Sequence, residues 1–230
     1  MDVNAFRGLV TVPATQAHTA TVIFAHGLGQ SNLSWRQLIR EAFAERLPHV
    51  TWILPQAPQR ELTLSPGHRR PSWFDLSRLP PPPDDFDEQA MSESSSCIEN
   101  IILGQVHAGI DSRRIVLIGF SQGAALSLVV ALTTLYELAG AVIMSGWLPH
   151  RSREHMLHTA PNLPILWCHG TADDEIPIAC AEEAAGFLLN TLRLHPRQVS
   201  LRQYPGMKHS ICDAELEDIL RWLESVIAEY

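Results

Sequence analysis

The stretch Ile115-Val116-Leu117-Ile118-Gly119-Phe120-Ser121-Gln122-Gly123-Ala124-Ala125-Leu126 constrains the rest of the chain more than any other. It opens on four apolar, mostly β-branched residues, the length and composition of a strand buried on both faces. It turns on Gly119-Phe120-Ser121-Gln122-Gly123 and continues as an Ala/Leu/Val run that reads as a buried helix. A G-x-S-x-G pattern between a strand and a helix is the context of a nucleophile elbow. There a serine sits at the tip of a sharp turn with its hydroxyl clear of the sheet, and the glycines let strand and helix approach closely. The backbone N–H of Gln122, at the helix start, is expected to face a developing oxyanion.

The chain around it has the size of one well-buried α/β domain, and no linker divides residues 1–230. Hydrophobic residues make up 46 % and charged residues 18 %, a globular balance rather than a disordered one. The net charge of −8, with no basic run, argues against nucleic acid or an anionic membrane as the main partner. No apolar run reaches the ~18 residues a bilayer span needs. Met1-Asp2-Val3-Asn4 lacks the basic and apolar segments of a signal peptide, so the expected compartment is the cytoplasm. Cys97, Cys168, Cys180 and Cys212 show neither C-x-x-C spacing nor a metal-ligand pattern, and they are expected to be reduced.

Other elements follow from periodicity. Thr21-Val22-Ile23-Phe24-Ala25 reads as a central strand ending at the glycine-rich loop His26-Gly27-Leu28-Gly29, with an edge strand around Phe6–Val10 before it. Trp35, Leu38, Ile39, Ala42 and Phe43 fall at helical spacing, and residues 50–54 form another buried strand. Residues 55–85 read as a long, proline-rich loop without period, stiffened by Pro80-Pro81-Pro82-Pro83. Its cluster Trp73-Phe74-Asp75-Leu76 either lines an apolar substrate or fastens the loop to the surface. A helix is expected over 86–109, strands over 139–145, 164–168 and 199–204, a helix over 177–194, and a last helix starting near His209. Strands alternating with helices imply right-handed βαβ units and a mostly parallel sheet, with catalytic loops beyond the carboxyl ends of the strands.

A serine hydroxyl needs a base, and the base needs an acid to orient it. In this fold class the chain order is Ser, then Asp or Glu, then His. Asp173 or Asp174, after the strand 164–168, supplies the acid. His209, in Pro205-Gly206-Met207-Lys208-His209, alone falls between the last strand and the last helix. His18, His49, His68, His107, His150, His155, His158 and His195 have no matching position, and His26 and His169 begin His-Gly turns that they are expected to shape. Two backbone donors make an oxyanion hole. Gln122 supplies one, and Leu28, in the loop after an early strand, the other.

Several motifs occur in one order: His26-Gly27-Leu28-Gly29, Pro71-Ser72-Trp73-Phe74-Asp75, Gly119-Phe120-Ser121-Gln122-Gly123, Trp147-Leu148-Pro149, His169-Gly170-x-x-Asp173 and Gly206-Met207-x-His209-Ser210. With Ala131-Leu132-Thr133-Thr134 and Leu138-Ala139-Gly140, the chain from about residue 20 onward resembles the acyl-protein thioesterase/lysophospholipase family of small α/β-hydrolases. The resemblance implies an α/β-hydrolase fold, a mostly parallel sheet with helices on both faces. It implies Ser121 as nucleophile, His209 as base and, between the two aspartates, Asp173 as the orienting acid. The sequence departs from the family pattern at Gln30, where Asp is common, and at Ala124, where a further Gly is usual. It also has no early cysteine, so the lipid anchor of some members does not carry over.

The implied activity is cleavage of fatty-acyl thioesters on S-acylated proteins through an acyl-enzyme. The fatty chain is expected near Trp73, Leu76 and Trp147, with no metal and no cofactor. Partners are then an S-acylated protein or lipid ester and, at most, a weak homodimer. A lysophospholipase or short-chain carboxylesterase would use the same triad. A non-catalytic binding module is disfavoured because all three triad positions are filled, and a dienelactone-type hydrolase because the elbow carries serine, not cysteine.

Overall fold

The computed structural model describes residues 8–156 and 162–229. Phe6 and Arg7 of the expected edge strand, and His158, lie outside the described residues. The chain begins with β1 (Val10–Val12), β2 (Ala20–Ala25), α1 (Asn32–Ile39) and β3 (Val50–Leu54), followed by β4 (Gln59–Leu62), β5 (Ser65–Pro71) and α2 (Glu88–His107). Then come β6 (Ile115–Phe120), α3 (Gln122–Thr133), β7 (Gly140–Met144), β8 (Ile165–Gly170), α4 (Ile178–Asn190), β9 (Val199–Tyr204) and α5 (Asp213–Val226). Seven strands form one sheet in the order β1-β3-β2-β6-β7-β8-β9. Only β1 runs antiparallel, against β3; every other pairing in this sheet is parallel. This is the α/β-hydrolase fold.

Burial explains the apolar runs. Along β6, Ile115 and Leu117 point into a core shared with α2, α3 and α4, while Val116, Ile118 and Phe120 point into a second core with α1 and α5. A strand covered by helices on both faces needs no polar alternation. Helix α3 is buried from Gln122 to Leu132, which is why it is apolar all round rather than striped. Among the described residues, no helix is long and apolar enough to cross a membrane.

The structure corrects several boundaries, and α4 ends at Asn190, short of the expected 194. Strand β1 starts at Val10, so Gly8 and Leu9 precede it rather than form it. Helix α1 stops at Ile39 and continues as a wider π-helical turn over Arg40–Ala44. Residues 55–85 are not structureless: β4 and β5 form an antiparallel hairpin with an irregularity between Glu61 and Leu62. Most of its residues are exposed, so no apolar alternation marks it. The last helix begins at Asp213, with Cys212 as its N-cap, and leaves His209 in a loop.

Candidate active site

The elbow is set by backbone crowding. A methyl group at Gly119 would collide with the Gly123 carbonyl, and one at Gly123 with the carbonyls of Ala25 and His26. Ser121 adopts φ 54° and ψ −119°, a left-handed geometry that costs a non-glycine residue roughly 1–3 kcal/mol. Its N–H donates to Met144 O at 2.8 Å, holding the turn against β7. The surrounding sheet thus keeps the serine in a conformation it would not choose alone.

Three side chains from separate strand ends meet here. Ser121 Oγ and His209 Nε2 are 2.8 Å apart. His209 Nδ1 and Asp173 Oδ2 are also 2.8 Å apart. A carboxylate only accepts, so Nδ1 carries the proton and Nε2 is left to accept from the serine hydroxyl. The His209 ring packs against Phe120, with centroids 5.0 Å apart. Asp173 Oδ1 accepts the backbone N–H groups of Glu175 at 3.0 Å and Ile176 at 2.8 Å. Burial pushes the Asp173 carboxyl upward, but its bonds to His209 and Ile176 and the imidazoles beside it hold it below its ordinary value.

The two other histidines at strand ends act as buried clamps. His26 Nδ1–H donates to Gly27 O at 2.8 Å, and its Nε2 accepts from Ala57 N at 3.1 Å and Gln56 Nε2 at 3.0 Å. His169 Nε2–H donates to Ile176 O at 2.7 Å, and its Nδ1 faces the Trp167 indole N–H at 3.4 Å. Burial lowers the pKa of both, which favours the neutral rings these bonds require.

Loop 26–30 holds its shape through its amides. Gly27 N–H donates to Gln30 Oε1 at 2.9 Å, Gly29 N–H to Pro71 O at 2.8 Å, and Gln30 N–H to Gly27 O at 3.2 Å. Among the described residues, none accepts from the Leu28 N–H. Gln122, first residue of α3, has a backbone N–H with no partner inside the helix. Leu28 and Gln122 both border the cavity that holds Ser121 and His209.

That cavity measures about 560 Å³. Leu28, Leu64, Leu76, Leu79, Trp147 and Ile211 give it an apolar lining, and Arg70 and Glu175 lie on its walls. Leu76 and Trp147 therefore line this cavity. Trp73 does not. It is fully buried, and its indole N–H donates to His26 O at 2.7 Å, so it fastens the loop carrying Leu28 instead of lining the cavity. A second groove, between the β4–β5 hairpin and α2 and bordered by Arg60, Trp73, Glu93 and Asn100, does not include Ser121.

Sequence reasoning missed several supporting residues. The Gln122 side chain accepts from Trp73 N at 3.0 Å and donates to Phe74 O at 2.6 Å, stapling residues 72–74 to the elbow. Gln30 Oε1 also accepts the Trp35 indole N–H at 2.9 Å, and the departure from Asp at this position was its one visible signal. Gln56, Leu64, Leu79 and Glu175 carried no motif. Among the described residues no group of three or more His, Cys, Asp or Glu is arranged to hold a metal ion.

A parallel sheet with this serine, imidazole and carboxylate beyond its strand ends defines a serine-esterase type of α/β-hydrolase acting on acyl substrates. The chain belongs to the phospholipase/carboxylesterase family, which residues 7–227 match. It is 40 % identical over 223 residues to acyl-protein thioesterase 1 of Yarrowia lipolytica, covering 96 % of this chain and 97 % of that one. Its identity to acyl-protein thioesterase 1 of Cryptococcus neoformans is 38 % over 222 residues, covering 90 % and 92 %. The crystal structure of Arabidopsis thaliana SOBER1 superposes with a TM-score of 0.83 at 28 % identity, covering 91 % of this chain and 99 % of that one. Zea mays acyl-protein thioesterase 2 gives a TM-score of 0.82 at 28 % identity, covering 95 % and 98 %.

Proposed function

We propose that this protein removes fatty-acyl groups from S-acylated proteins, with Ser121 as nucleophile, His209 as general base and acid, and Asp173 as the acid that orients it. The observation that carries this reading is the pair of 2.8 Å contacts linking Ser121, His209 and Asp173 beside an apolar-lined cavity. Relatives near 40 % identity carry the name acyl-protein thioesterase, which favours a thioester over other acyl substrates.

Ser121 Oγ attacks the thioester carbonyl as His209 Nε2 takes its proton, and Asp173 stabilises the imidazolium. The Leu28 and Gln122 N–H groups bind the oxyanion, each worth roughly 3 kcal/mol of barrier by analogy with other oxyanion holes. The C–S bond then breaks, and His209 gives its proton to the departing thiolate. Water, deprotonated by the same imidazole, attacks the acyl-serine and releases the fatty acid. Cytoplasmic residence belongs to the same reading.

The test is an acyl-chain series on cysteine-peptide thioesters against p-nitrophenyl esters. The expected result is a kcat/KM that rises with chain length on thioesters. A preference for very short oxyesters would instead make the protein a small-ester carboxylesterase using the same residues.

A further inference from the structure

We propose that Glu175 determines leaving-group specificity, favouring acylated thiols set in basic peptide over those set in acidic peptide. The inference rests on the esterase reading above, because it needs a leaving group at His209. Glu175 follows β8 in Asp173-Asp174-Glu175, and its backbone N–H is held by Asp173 Oδ1 at 3.0 Å. The other oxygen of that carboxylate holds His209. One aspartate thus fixes both the imidazole and the backbone from which Glu175 extends.

The Glu175 carboxylate lies beside the His209 imidazole. Its Oε2 is 3.9 Å from His209 Nε2, the same nitrogen that faces Ser121, and its side chain is 54 % exposed on the cavity wall. When the C–S bond breaks, the sulfur must come within hydrogen-bond reach of that nitrogen to receive its proton. The residues flanking the acylated cysteine are then carried to within about one Debye length, ~10 Å at 0.1 M salt, of the glutamate. Of the nearby basic side chains, Arg70 comes from β5 of the hairpin and lines the cavity, while Lys208, next to His209, is exposed and does not line it. A lysine or arginine beside the cysteine meets an opposite charge at the leaving-group wall, and a glutamate meets a like one.

An exposed carboxylate commonly does no more than sit in water, and a surface ion pair is worth little. The two roles differ in what a charge change does to substrate choice. Two acyl-cysteine peptides, one flanked by lysines and one by glutamates, are hydrolysed by the intact protein and by Glu175→Gln, Glu175→Lys and Asp174→Asn. The readout is the ratio of kcat/KM for the basic over the acidic peptide. We expect Glu175→Gln to lower it on the order of tenfold, as one charge acting across a partly solvated cavity would. Glu175→Lys is expected to lower it further, Asp174→Asn to move it less than Glu175→Gln does, and added salt to shrink it in the intact protein. A ratio unmoved by both Glu175 changes, or moved equally by Asp174→Asn, overturns the proposal and leaves the esterase reading intact. Failure of the intact protein to hydrolyse any acyl thioester or ester overturns both.

Discussion

The indole N–H of Trp73 donates to the backbone carbonyl of His26 at 2.7 Å, joining the segment after the β4–β5 hairpin to the loop that carries Leu28. The two rings also pack together, with centroids 5.2 Å apart. Trp73 therefore holds the backbone of the Leu28 loop and does not line the cavity beside Ser121. Gln122 ties the same segment to the elbow from the other side, so both proposed oxyanion donors depend on one bonded assembly.

Trp73→Phe keeps the ring contact and removes the donor, leaving His26 O buried without that partner. An unpaired buried carbonyl costs about 1–3 kcal/mol, which a urea midpoint measures. Because that carbonyl belongs to the loop of Leu28, we expect kcat to fall roughly tenfold with little change in KM. Lost stability with unchanged kcat would confine the bond to folding.

Gly123→Ala tests the elbow. Its methyl would press on the carbonyls of Ala25 and His26, both backbone atoms of the neighbouring strand end, which cannot swing aside as a side chain can. Overpacking of this kind costs about 3 kcal/mol, and we expect a lower Tm together with loss of esterase turnover. A variant with normal Tm and turnover would show that the strand and helix have room to part.

Glu215 predicts how stability responds to pH. It is fully buried in the first turn of α5, neither carboxylate oxygen has a hydrogen-bond partner, and burial pushes its pKa from about 4.5 up to about 8. The nearby Cys212 backbone amide opposes that rise without closing a hydrogen bond to either oxygen. The folded protein therefore binds a proton that the unfolded chain releases between those values. The resulting stabilisation is full below about pH 4.5, declines across the window and is gone above about pH 8. Its size is on the order of several kcal/mol. Urea midpoints at about pH 5 and about pH 9 should differ less in Glu215→Gln than in the intact protein. Equal pH dependence in the two would assign the effect to other groups.

Much of this was legible because buried parallel strands announce themselves. Ile115–Ile118 and Val22–Ala25 are apolar on both faces, so length and turn chemistry alone located them. Chain order also nominated Ser121, His209 and the pair Asp173 and Asp174, each following the end of a strand, and the family resemblance singled out Asp173. The hairpin at 59–71 was hidden because most of its residues face water and carry charge, Gly and Pro, with no pattern to read. The depth of Trp73 and Glu215 was hidden for another reason. An aromatic in a proline-rich loop and an acid in a first helical turn both look like surface residues until distant segments close over them. The staple made by Gln122 depends on a contact across 49 positions, which no local spacing encodes.

The most direct test of the central claim, that His209 activates Ser121, is covalent labelling with a fluorophosphonate followed by peptide mapping. The account predicts a single adduct on Ser121, sharply slowed in His209→Ala and absent in Ser121→Ala, with the urea midpoint of Ser121→Ala close to that of the intact protein. An adduct on another residue, or thioester turnover surviving in Ser121→Ala, would contradict it.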